Sequence, residues 1–132
     1  MIYKLTIGDG EEFRVDDLTY GINADGAVEG FADIFISVSD REEDIFKEAS
    51  KKVWLEWLDA CCGDKHNPEE RIRRVVAKIY AGDENTDVVR NIKIEKAYLA
   101  SYVESSEGTN HYYKAEIRRA PERNAEVTVT AS

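Results

Sequence analysis

Apolar and polar residues alternate along much of this chain, and stretches carrying Gly and Asp interrupt the alternation. Over residues 2–7, Tyr3, Leu5 and Ile7 share one face and Lys4 and Thr6 the other, the period-two pattern of a half-buried strand. Gly8-Asp9-Gly10 ends it with residues that tolerate positive φ. Residues 11–30 mix Phe13, Val15, Leu18 and Tyr20 with Asp16, Asp17, Asn23, Asp25, Gly26 and Gly30. This predicts a short strand near Phe13 and then a long, mostly irregular loop, of a kind that is usually functional or interfacial in a compact domain. A second strand is expected over 31–38, where Ile34, Ile36 and Val38 share a face.

The period then changes. Ser39 and Asp40 precede Glu42 and Glu43 with capping-box spacing, and Phe46, Ala49, Val53 and Trp57 recur every three or four residues. These predict an amphipathic helix over 41–60 that Gly63 ends, with Trp54 and Trp57 as anchors against a sheet. Asn67-Pro68-Glu69-Glu70 is able to cap a short second helix. A β-meander is expected over 73–119: a strand at 73–81, a turn at 82–87, a long arm at 88–103 bent near Lys96-Ala97, a turn at 105–110, and a last strand at 111–119. Pro121 closes it, and 122–132 is a polar tail, either an edge strand or loose. The whole reads as one α+β domain over 1–132, mainly β and antiparallel, with a curved or barrel-closed sheet carrying one helix on its side.

Composition narrows the function classes. In 132 residues, 27 acidic against 18 basic side chains give a formal charge of −9, which argues against a nucleic-acid backbone or an anionic membrane as partner. No apolar run approaches the ~20 residues that span a bilayer, and residues 1–6 are too polar for a signal peptide, so a cytoplasmic place of synthesis is expected. Cys61 and Cys62 are adjacent and build no disulfide framework; two buried thiols near a helix end are expected.

The search for chemistry yields no catalytic, cofactor or metal site. Gly8-Asp9-Gly10 lacks the third glycine and the helix of a dinucleotide loop. Asp83, Asn85 and Asp87 have the alternate spacing of a calcium loop, but Val88 stands where glycine is needed and Ile94 where the closing acid belongs. Adjacent Cys61 and Cys62 do not both reach one tetrahedral ion with His66, and His111 lies in another strand. The pairs Asp16-Asp17, Glu42-Glu43 and Glu69-Glu70 read as solvated, without the burial that separates the pKa values of an acid and a base.

One long segment carries a resemblance. Arg74-Val75-Val76-Ala77-Lys78-Ile79-Tyr80, a turn, and residues 88–102 ending in Ala97-Tyr98-Leu99-Ala100-Ser101-Tyr102, followed by an acidic turn at 104–110 and Tyr112–Arg118, resemble the tube proteins of contractile injection systems. These include phage tail tube proteins and the haemolysin-coregulated protein of type VI secretion, and the likeness looks closest to clostridial phage-tail-like relatives. The Trp54/Trp57 helix and the Cys61-Cys62 pair stand outside that pattern. The resemblance implies a split β-barrel that joins side by side into a hexameric ring, with rings stacking into a tube inside a particle, beside sheath and baseplate proteins. It implies ring-stacking contacts in the loops, with Asp16, Asp17, Leu18, Tyr20, Asp83 and Asn85 as candidates, and a polar lumen, with Lys93, Glu95, Lys114 and Glu116 as candidates. A baseplate, tube-initiator or terminator protein of the same fold is the alternative, as is an unrelated binding module with a pocket beside the tryptophan helix.

Overall fold

The computed structural model describes residues 1–23, 33–41, 48–62, 68–82, 87–108, 110–121 and 125–132. Among these, the chain runs β1 (Ile2–Ile7), β2 (Phe13–Val15), β3 (Asp17–Asn23), β4 (Asp33–Asp40), α1 (Glu48–Cys62), α2 (Pro68–Arg71), β5 (Arg73–Ala81), β6 (Asp87–Glu107), β7 (Asn110–Arg119) and β8 (Val127–Thr130). All described strand pairs are antiparallel, in the order β2-β1-β5-β6-β7-β4-β3.

The two strands at the ends of that order, β2 and β3, are consecutive in sequence and separated only by Asp16. They are in effect one bent strand whose first half pairs β1 and whose second half pairs β4. The sheet therefore curls until its ends meet at Asp16, without a ladder between β2 and β3, as in a split barrel.

The alternation that forms the strands also fills the barrel. Leu5, Ile7, Val15, Ile34, Ile36, Val38, Val75, Ala77, Ile92, Ile94, Tyr113, Ala115 and Ile117 point inward and are buried. Helix α1 adds Trp54 and Trp57, both fully buried, as their spacing predicts. Their rings stack 6.3 Å apart, and Trp54 meets Phe13 and Tyr113 at 5.9 and 5.6 Å. Such aromatic pairs add roughly 0.5–1.5 kcal/mol each beyond the area they bury.

Strand β6 is long because it serves two partnerships. Residues up to Ala97 pair β5 along one edge, while Ala97–Glu107 pair β7 along the other. Strand β8 continues where β7 stops, pairing Asn91–Ile94 on that same second edge. The β6–β7 hairpin extends past the last β4 contact at Tyr113 as a two-stranded arm that turns at Gly108, where φ is 60°.

Candidate assembly surfaces

The expected loop over 11–30 is corrected as far as residue 23. Asp17–Asn23 is a strand, with Leu18 and Tyr20 packed against the core and Thr19 outward. Gly21 lies inside this strand opposite the Phe35 ring, and a Cβ on residue 21 would lie 2.5 Å from that ring, so a side chain there has to displace it. Of the four stacking candidates here, Asp16 and Asp17 are exposed, whereas Leu18 and Tyr20 are half-buried. Asp83 and Asn85 lie outside the described residues, as do Glu42, Glu43 and Gly63 of the expected helix signals.

Asp16 has a structural partner. Its backbone N–H donates to Asp40 Oδ1 at 2.6 Å, and its own carboxylate accepts the Arg41 N–H at 3.0 Å. The Tyr113 hydroxyl donates to Asp40 Oδ2. Asp40 ends β4, directly opposite Tyr113 on β7, and is fully buried. Its carboxylate is thus tied to the β4–β7 pair and to the bend where the barrel's ends meet; the residues that the expected helix cap would engage lie outside the described ones. Burial pushes the Asp40 carboxyl up to about 6; the Tyr113 and Asp16 hydrogen bonds oppose this, and the Asp16 and Asp17 charges add to it. Sequence reasoning missed this latch because its members are 24 and 73 residues apart.

The four lumen candidates all sit on the outward face of the sheet, opposite buried neighbours, but not together. Lys93 and Glu95 flank Ile94 on the β5-paired half of β6, with Lys93 Nζ 2.8 Å from Glu95 Oε1. The pair holds the Glu95 carboxyl below its usual range. Lys114 and Glu116 flank Ala115 on β7 and face Val103 and Ser101 of β6, roughly 20–30 Å further along that strand. Glu116 pairs with Arg118 at 3.1 Å, and Arg118 reaches Asp33 at 3.2 Å.

At the other end of β1, a cleft of about 750 Å³ opens between the Gly8–Gly10 turn, α1, α2 and the start of β5. Asp9, Glu56, Asp59, Glu69 and Glu70 rim it, against Arg73 and Arg74. Arg71 closes the end of α1: its Nη2 donates to the Cys61 carbonyl at 3.1 Å, and the Trp57 indole donates to the Arg71 carbonyl at 2.9 Å. Cys61 is half-buried and Cys62 exposed, which corrects the expectation of two buried thiols. Successive helical residues are about 100° apart around the axis, so only one of them packs inward. No described helix is long and apolar enough to cross a membrane.

No protein-family model matches the chain, and no curated protein matches it in sequence. Solved structures do. A chain of the sheath–tube complex of an extracellular contractile injection system (PVC), in its extended state, superposes over 98% of this chain and 88% of its own, at a TM-score of 0.60 and 11% identity. Hcp1 from Flavobacterium johnsoniae matches over 100% of this chain and 97% of its own, at a TM-score of 0.56 and 13% identity. The fold is Hcp-like. The tube-terminating cap of the anti-feeding prophage shares this Hcp-like fold over 98% of the present chain and 88% of its own, at a TM-score of 0.58 and 13% identity. At such identities the likeness is one of architecture. It accords with the mainly β, antiparallel arrangement expected from the residues and with the split barrel that the resemblance implies.

Proposed function

We propose that this chain is a non-enzymatic structural subunit, the inner-tube protein of a phage-tail-like contractile injection system, which self-assembles into rings that stack. The observation that carries the reading is the Hcp-like fold spanning the whole chain, matched by a component of a sheath–tube complex. Two features of the molecule support it. The outer edge of β3 and the β5-side edge of β6 beyond Ala97 have no partner strand among the described residues, and bare edges of this kind invite pairing with a neighbour. The outward faces of β6 and β7 carry charged residues, with Lys93, Glu95, Lys114 and Glu116 proposed to line a water-filled lumen, beside the exposed Val103. Asp16, Asp17, Asp83 and Asn85 are proposed for stacking, and a hexameric ring, sheath and baseplate partners, and assembly from the cytoplasm into a particle belong to the same reading. The finer kinship to clostridial relatives rests on the pattern of residues 74–80, 88–102, 104–110 and 112–118.

A second reading is favoured by the tube-terminating cap among the structural neighbours, whose likeness is as close as that of the tube components. A cap stops at one ring, whereas a tube subunit stacks. Light scattering on a sizing column, with negative-stain microscopy of the same fractions, separates them: stacks with a central hole are the expected outcome, single rings favour the cap, and a monomer at every concentration contradicts both.

A further inference from the structure

Three cations stand in a row across the outward face of the sheet. Arg14 on β2 lies directly opposite Lys4 on β1, and Lys4 lies directly opposite Lys78 on β5. Their neighbours Phe13, Leu5 and Ala77 are buried, so all three side chains point away from the core. Like charges placed directly opposite across strands are unfavourable. Lys4 is partly relieved by Glu12 at 3.7 Å and lies over the Tyr80 ring at 5.6 Å. Neither Arg14 nor Lys78 has a carboxylate within ion-pair distance among the described residues. The row is bordered by the Thr6–Val76 pair and by Tyr80, so the face combines cations with half-buried apolar surface.

This concentration of positive charge occurs in a chain of formal charge −9, whose identical copies repel one another on average. Contact between copies therefore needs cations of one set against carboxylates of another. The cleft at the end of β1 presents Asp9, Glu56, Asp59, Glu69 and Glu70 against only Arg73 and Arg74, and Arg73 is already stacked over Trp57 at 5.8 Å. The row crosses β1 at Lys4, three residues or roughly 10 Å before the cleft begins at Ile7.

We propose that the outward face of β2-β1-β5, carrying the row Arg14–Lys4–Lys78, is the docking surface for the carboxylate-rimmed cleft of a second copy of this chain. The contact is heterologous, cation row to acidic rim, the type that closes into a ring when the rotation between copies allows. The proposal rests on the self-assembly reading above and names which surfaces mate. Glu95, paired with Lys93 at 2.8 Å, also lines that cleft, so the Lys93–Glu95 pair borders the proposed contact.

The test is a charge swap on the full chain, read by sedimentation and light scattering in low salt. Lys4→Glu with Lys78→Glu, and separately Glu56→Lys with Asp59→Lys, are each expected to weaken self-association at least tenfold. Mixing the two variants one to one is expected to restore it, because each then offers the face that the other lacks. Restoration also shows that both variants are folded. Wild-type copies that never associate overturn the assembly reading and the proposal together. If wild-type copies associate and the swaps leave that association unchanged, the row serves an acidic partner other than a second copy, and the proposal alone is overturned. A mixture no better than either variant overturns it as well.

Discussion

Asp40 shows how a single buried group makes stability depend on pH. Its carboxyl titrates near 6 in the folded protein against an ordinary 3.8. A group whose folded value is raised contributes stability that is complete below its unfolded value and is lost as pH rises through the folded one. The rise from 3.8 to about 6 corresponds to at most about 3 kcal/mol. Asp40→Asn cannot ionise. Its stability relative to the wild type is therefore expected to improve by about 2–3 kcal/mol between pH 4 and pH 7, as urea denaturation measures. A difference that stays constant over that range means Asp40 titrates normally.

The elements were legible to very different degrees. β5 falls on the residues its alternation predicts, 73–81, because both of its faces carry β-formers and clear turn residues flank it. The expected bend of the long arm corresponds to the place where β6 changes partners, at Ala97, and to a register shift between Leu99 and Ser101. β3 was hidden because Gly21, Asp17 and Asn23 are turn residues by propensity, and what makes them a strand is a partner ten or more residues away. The β6–β7 arm runs further than predicted because Gly108 permits a two-residue turn, so pairing continues to Glu107 and Asn110. Of the candidate site residues, Lys93, Glu95, Lys114 and Glu116 lie on the outward faces of their strands, as the alternation reads. The alternation did not show that Leu18 and Tyr20 pack against the core, since that depends on β4 lying beside them. The helix end is a further case: with no basic residue in its own last turn, α1 borrows Arg71 from α2. Arg71→Ala is expected to cost about 1–2 kcal/mol by freeing carbonyls at the end of α1, read as a lowered midpoint in urea.

At the scale of the molecule, the barrel is two locally paired units brought together. β1–β2 and β3–β4 are short-range hairpins joined through Asp16, and β5-β6-β7 is a meander; the β1–β5 and β4–β7 ladders connect the two units over distances such as Ile2 to Tyr80 and Phe35 to Arg118. Ladders of such separation carry a large chain-closure entropy and are slow to form. The Asp40–Tyr113 contact lies on one of them. The order of events in refolding follows: hairpins and meander first, the joining ladders last. Tyr113→Phe is therefore expected to accelerate unfolding several-fold while leaving the refolding rate nearly unchanged, as the two arms of a stopped-flow chevron report. An equal effect on both arms would place the latch in the folding nucleus instead. Until that last ladder zips, the edges of β4 and β7 stay bare in the newly made chain, and subunits made close together are exposed to pairing with the wrong copy during that interval.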